Sequence, residues 1–81
     1  MRALVHVTLK TEVLDPQGGA IQRVSASLGY DAVSSVRQGK LFELELDVET
    51  EESARALLTE LCEKLLANPV IEDYRIVRLE V

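Results

Sequence analysis

The sequence predicts a single α+β domain with the element order β-α-β-β-α-β. Its hydrophobic period switches repeatedly between two residues, as in strands, and about 3.6 residues, as in helices. Each stretch of helical period begins at a capping residue and ends at a helix-stopping residue. With 81 residues the chain has room for one domain, and we assign residues 1–81 to it.

A strand and then a helix occupy the first part of the chain. Residues 2–9 alternate, which predicts a half-buried strand. Asp15-Pro16 opens the helix, because Asp caps free amide groups and Pro suits the first helical position. Gly29 ends this helix, since glycine adopts the left-handed conformation without penalty.

The middle of the chain predicts a β-hairpin. Residues 33–37 and 41–48 both have strand character, and the second stretch alternates most clearly of all. Gln38-Gly39 between them is typical of a tight turn. We therefore expect these two strands to pair with each other.

The last part predicts a helix and a final strand. Thr50 caps the helix and Asn68-Pro69 ends it. Residues 70–81 are rich in β-forming side chains, and apolar residues occupy both of their alternating registers. A strand that is apolar on both faces is buried on both faces, so we expect a second protein chain to cover it.

These elements pack most simply as an antiparallel sheet with both helices on one face, a ferredoxin-like layout. The other face carries Glu43 and Glu45, where RNA-binding domains of this topology have aromatic and basic residues. The net charge of −5 also speaks against nucleic acid. No apolar run approaches the roughly 20 residues of a membrane helix, and no signal peptide is recognisable, so we expect a soluble, cytoplasmic protein.

No group of residues has the pattern of a catalytic, cofactor or metal site. His6 is the single histidine and Cys62 the single cysteine, too few for a zinc site or a nucleophile with its base. Gly18-Gly19 lacks the flanking residues of either phosphate-binding pattern. We therefore expect no catalytic residue, no metal and no cofactor.

Four segments of the sequence resemble the PurS family, the small subunits of phosphoribosylformylglycinamidine synthase. These segments are Val13–Gly18, Leu28–Tyr30, Val36–Lys40 with Glu43-Leu44, and Cys62–Tyr74. They occur in the family's order and span nearly the whole chain. Glu12 stands where the family often has glycine, and Gly19 where a polar residue is usual.

The resemblance implies a subunit without an active site of its own. The assembled enzyme is an ATP- and glutamine-dependent ligase of de novo purine biosynthesis. Members of the family self-associate and bridge a glutaminase subunit and a large synthetase subunit, supporting ammonia transfer between them. We accordingly expect this chain to form a homodimer or tetramer and to bind both subunits.

Partner contacts are expected in three places: the segment Val13–Gly18, where the family resemblance is clearest, the acidic sheet face and the last strand. Loops held on a rigid scaffold commonly carry function. Gln17 is expected to contact a partner because it is neither a helix cap nor a core residue. The expected interface residues are Leu14, Asp15, Gln17, Gly18, Glu43, Glu45, Tyr74 and Arg75.

The alternative is an amino-acid-binding regulatory module of the ACT type, which shares the β-α-β-β-α-β order. Such modules usually have a glycine in the first strand–helix loop, and residues 10–15 contain none.

Overall fold

The computed structural model describes residues 1–80 as an α+β fold with a three-stranded antiparallel sheet. The predicted fold class is confirmed, and the arrangement is consistent with a ferredoxin-like fold. The strand order is β2-β1-β3. The elements are β1 (Arg2–Leu9), α1 (Pro16–Ser27), β2 (Gly39–Glu45), α2 (Glu51–Leu61), a π-helical turn (Cys62–Leu66) and β3 (Glu72–Glu80).

The core lies between the sheet and α2. Alternate residues of the central strand β1 point to this core and are buried there among residues of α2 and the segments around it. Phe42 and Leu44 of β2 pack at the margin of this core. The buried residues are Ala3, Val5, Val7, Leu46, Ala54, Leu58, Cys62 and Ala67.

Both predicted helix starts are confirmed by side-chain caps. The carboxylate of Asp15 accepts a hydrogen bond from the Gly18 amide, and the hydroxyl of Thr50 accepts one from the Ser53 amide. Gly29 follows α1 with φ of +93°, a left-handed conformation that side chains disfavour. Local sequence chemistry therefore sets where α1 begins and ends and where α2 begins.

After Leu61 the helix widens into the π turn. The Ala67 amide donates to the Cys62 carbonyl at 3.0 Å, which leaves one more residue in the turn than an α-helix would have. Cys62 and Ala67 remain buried, but Leu65 is 74% exposed. An unbroken α-helical period would place Leu65 on the same face as Leu58, seven residues earlier, and the extra residue rotates it away from the core.

The predicted hairpin is absent from the described residues. Residues 33–37 form no strand, and Gln38-Gly39 form no turn. The strand also begins and ends earlier than expected, at residues 39–45 rather than 41–48. The amide of Gln38 donates to Asp15 Oδ2 at 2.8 Å, which fixes this segment beside the start of α1 and prevents it from folding back onto β2.

A β-bulge in β3 corrects the expectation that this strand is apolar on both faces. Leu4 pairs with Arg78 and the next residue, Val5, pairs with Ile76, so Val77 is an inserted residue. Because the register changes there, Tyr74, Ile76 and Leu79 all pack against the same core. The strand is Glu72–Glu80 rather than residues 70–81, whose last member, Val81, lies outside the described residues.

Helix α1 lies apart from the core. Its only buried residue is Gly18, near its start, and the apolar side chains further along are mostly exposed. The fold measures 49 × 26 × 13 Å, with a radius of gyration of 15.9 Å, against about 12 Å for a compact chain of this length. Among residues 1–80, no helix has the length and apolarity that crossing a membrane requires.

Candidate functional site

Three segments of the chain meet where β1 ends, each a loop together with the first residues of the element that follows it. We call this region the loop end; it comprises residues 10–18, 36–40 and 67–74. The Arg37 guanidinium donates to the carbonyls of Leu9 and Lys10. The Lys10 amide donates to the Ile71 carbonyl at 2.8 Å, and its ammonium pairs with Asp73 at 2.7 Å. Segments far apart in sequence therefore form one connected surface.

Asp15 ties α1 to this surface. One carboxylate oxygen accepts from the Gly18 amide at 3.0 Å, and the other accepts from the Gln38 amide at 2.8 Å. These two hydrogen bonds, with the Arg37 charge nearby, lower the pKa of Asp15 below its ordinary value. A single carboxylate thus starts the helix and anchors residues 36–38 beside it.

Gly18 allows a close approach between the same two segments. A Cβ at this position would overlap the carbonyl oxygen of Val36 and would lie 2.6 Å from Asp15 Oδ2. Gly19 has room, since a Cβ there would meet only the Arg23 guanidinium at 3.5 Å. Of the two adjacent glycines, only Gly18 is required by packing.

Glu72 closes the opposite side of the loop end. Its side chain is 12% exposed and pairs with Lys40 of β2 at 3.5 Å. It also accepts from the Asn68 amide at 2.7 Å, while its own amide donates to the Asn68 carbonyl at 2.7 Å. Two hydrogen bonds between Asn68 and Glu72 therefore hold the turn before β3, and the ion pair with Lys40 joins it to β2.

Two apolar side chains of the loop end are largely exposed. Leu14 is 82% exposed and Val70 is 79% exposed. Gln17 is also exposed, in the first turn of α1. Binding residues are found disproportionately on loops that a rigid scaffold positions, so these exposed side chains are candidates for a partner contact.

The structure brings together five of the expected interface residues. Leu14, Asp15, Gln17 and Gly18 lie in the first of its three segments, residues 10–18, and Tyr74 lies in the third, residues 67–74. Tyr74 packs against the core, where burial and the neighbouring Glu63 raise its pKa.

The other expected residues lie on the sheet face that α2 leaves bare. Glu43 pairs with Arg2 at 3.3 Å, and the β1 residue Leu4 separates it from Arg78. Glu45 lies opposite Arg2. Arg75 lies opposite His6 on β1 and lines an open cleft with it.

Sequence reasoning missed three residues that hold the loop end together, namely Lys10, Arg37 and Glu72. Long-range ion pairs and side chain–carbonyl bonds leave no periodic pattern in a sequence. The available signal was the resemblance itself, because Arg37 and Glu72 lie inside two of its segments.

A comparison with protein families decides the assignment. The family model described as "PurS: Phosphoribosylformylglycinamidine (FGAM) synthase" matches residues 2–80. The chain belongs to the PurS family. Membership of this family decides against the ACT-type alternative. The loop end contains most of three of the four segments that predicted the family.

Curated relatives and solved structures agree with the family. The PurS subunit of Mycobacterium leprae is 52% identical over 77 residues, covering 95% of this chain and 94% of the relative. The PurS subunit of Bacillus subtilis is 51% identical over 71 residues, covering 88% of this chain and 83% of the relative. A structure described as PurLQS from Thermotoga maritima is similar with a TM-score of 0.84 and 33% identity, covering 98% of this chain and 99% of that one.

Proposed function

We propose that this chain is the non-catalytic PurS subunit of phosphoribosylformylglycinamidine synthase and bridges the glutaminase and the large synthetase subunits in the cytoplasm. Membership of the family supports the assignment to this enzyme. The bridging role is supported by the loop end. There, hydrogen bonds and ion pairs connect the family's segments into one surface on which Leu14 and Val70 are exposed. Held between the two subunits, this surface supports the passage of ammonia from one to the other.

Reconstitution of the enzyme tests this role. The synthetase and glutaminase subunits of the same organism are assayed with ATP, formylglycinamide ribonucleotide and glutamine, with and without this chain. We expect glutamine-dependent formation of the amidine to require the chain, and ammonium-dependent formation to need it much less. Equal glutamine-dependent rates in its absence would remove the bridging role.

The contribution of the loop end is tested at Gln17. Gln17 is exposed and caps nothing, so Gln17→Ala should leave the melting temperature nearly unchanged while weakening complex formation. Glu52→Ala is the matched control, because Glu52 occupies the same position in the first turn of α2. If Gln17→Ala binds both partner subunits as the parent does, Gln17 lies outside the interface.

We also propose that the chain works as a homodimer or tetramer. Ile21 and Val24 of α1 and Leu28, the residue that follows the helix, are 47%, 56% and 68% exposed. A chain of this size buries only about 60–65% of its unfolded surface, so leaving a whole helix face uncovered is costly. Light scattering across a dilution series is the test, and a monomer of 9.0 kDa at high concentration would contradict the proposal.

A further inference from the structure

Basic residues without an ion pair collect beside the loop end, on the sheet face that α2 leaves bare. Of the nine basic residues in the chain, six form ion pairs among residues 1–80, namely Arg2, Lys10, Lys40, Arg55, Lys64 and Arg78. The other three are Arg23, Arg37 and Arg75. Two of them, Arg37 and Arg75, line the same cleft. Positive charge is therefore concentrated at one place on an acidic chain.

The cleft lies over the end of β1, between β3 and the segment that precedes β2. In the β1–β3 ladder His6 lies opposite Arg75. Thr8, on the same face, lies opposite Asp73. Arg37 lines the cleft together with these side chains. Its volume is about 340 Å³, which is at the lower end of the range for small-molecule sites.

Gly39 keeps part of this cleft clear of side chains. A Cβ at this position would lie 2.8 Å from His6 Nε2 and 2.8 Å from Thr8 Cγ2. The same Cβ would lie 2.7 Å from the Val7 carbonyl oxygen, so a larger residue would require β1 to move. Glycine therefore leaves space beside the His6 and Thr8 side chains, which are both half-buried.

Arg37 is fixed in place before any ligand arrives. Its Nη2 atom donates to the carbonyls of Leu9 and Lys10, and the N–H groups of Nε and Nη1 remain for other acceptors. A donor that is already held loses little freedom on binding. Asp73 also lines the cleft, but its ion pair with Lys10 at 2.7 Å offsets its charge. The two guanidinium groups thus dominate the local charge.

We propose that this cleft binds the phosphate group of a small phosphate monoester, with Arg37 and Arg75 as counter-ions and His6 and Thr8 as further donors. A planar guanidinium matches the geometry of phosphate through two parallel hydrogen bonds. A phosphate monoester offers three terminal oxygens to the four donor groups of the cleft, whereas a carboxylate offers two. The inference goes beyond the proposed bridging role and does not depend on it.

Titration of the full chain at constant ionic strength tests the site. Ribose 5-phosphate is the probe, and ribose and inorganic phosphate represent its two halves. Nitrogen-15 NMR follows the amides of Thr8, Gly39 and Arg75. We expect saturable shifts at these amides with ribose 5-phosphate, weaker binding of inorganic phosphate and none of ribose. Because the chain has a net charge of −5, saturable binding of an anion requires local cations.

Two of these results would overturn the proposal. One is the absence of saturable shifts with ribose 5-phosphate. The other is binding of inorganic phosphate alone, which would mean an adventitious ion only.

A pair of arginine variants assigns the binding to the cleft. Arg75→Gln removes an exposed guanidinium from the cleft, and we expect it to raise the dissociation constant of ribose 5-phosphate about tenfold or more. Arg23→Gln is the matched control, because it removes the same charge from α1 and leaves the cleft intact. We expect Arg23→Gln to bind as the parent does. Equal weakening by both changes would mean that net charge, and not the cleft, attracts the ligand.

Glutarate, a dicarboxylate, distinguishes a phosphate ligand from an acidic side chain of a partner protein. We expect glutarate to bind the cleft at least tenfold more weakly than ribose 5-phosphate. Equal or tighter binding of glutarate would make the cleft a carboxylate site and would overturn the phosphate assignment. None of these measurements includes the partner subunits, so failure of the phosphate site leaves the proposed bridging role and self-association unaffected.

Discussion

The two helices have similar lengths, 12 residues in α1 and 11 in α2, yet they occupy opposite environments. Ala54 and Leu58 of α2 are fully buried on the sheet. Helix α1 is held by hydrogen bonds and a close backbone approach at its start, and its apolar stripe lies in solvent. The difference indicates that the folding energy is concentrated in the α2 layer, whereas α1 leaves apolar side chains exposed, where we propose that the chain self-associates.

The largest expected effect contrasts one apolar residue from each helix. Leu58→Ala removes a side chain that is 0% exposed, and we expect it to lower the free energy of unfolding by about 2–5 kcal/mol. Val24→Ala truncates a side chain that is 56% exposed, so the folding of a single chain should change little while self-association weakens. Denaturant unfolding and light scattering measure the two effects. Equal destabilisation by both changes would remove the distinction between the helices.

The next effect concerns the attachment of α1. Gly18→Ala places a Cβ against the Val36 carbonyl, and relieving that overlap should cost about 1–3 kcal/mol in unfolding free energy. Gly19→Ala is the control, because its Cβ has room and alanine favours a helix by up to about 1 kcal/mol over glycine. Thermal unfolding of the two variants should therefore shift in opposite directions. A shift in the same direction would mean that the contact with residue 36 does not constrain the helix.

The attachment of α1 to residues 36–38 depends on pH through Asp15. Its pKa in the folded chain lies below the ordinary value of 3.8, because two amides donate to the carboxylate. The stabilisation is complete above that ordinary value and is lost as the pH falls through the lower folded pKa. Asp15→Asn cannot accept through both oxygens, so we expect a less stable chain whose difference from the parent shrinks in acid. A difference that stays constant from neutral to acidic pH would contradict this role.

The smallest expected effect is at the bare sheet face. Glu43 pairs with Arg2 where both side chains are at least half exposed, and such pairs contribute about 0–1 kcal/mol. Glu43→Gln combined with Glu45→Gln should therefore barely change the melting temperature, but it should change self-association and the dependence of association on salt. If association is unaltered at low and high salt, this face is simply solvated.

The predictable parts of the fold are those that local chemistry decides. The alternation of residues 2–9 fixed β1, and the caps Asp15 and Thr50 fixed both helix starts. The absence of the hairpin could not be predicted, because strand character in residues 33–37 indicates an extended segment and does not say which strand lies beside it. A long-range hydrogen bond from Gln38 decides that question.

The candidate site was predictable only in part. The family resemblance pointed to Leu14, Asp15, Gln17 and Gly18, and the fold places them at the loop end. The bulge at Val77 was not predictable, since an inserted residue looks in sequence like a strand with two apolar faces. The bulge therefore removes the reason for expecting a second chain to cover β3, which was its apparent pair of apolar faces. The exposed stripe of α1 now supports self-association in its place.

The strand order has a consequence for the time at which the chain can fold. β1 is the first strand to be synthesised, and it lies in the middle of the sheet between β2 and the last strand, β3. Until β3 has been synthesised, β1 has a partner strand along only one of its two edges. The complete sheet can therefore form only once β3 is available, and until then the second edge of β1 is open to pairing with other chains.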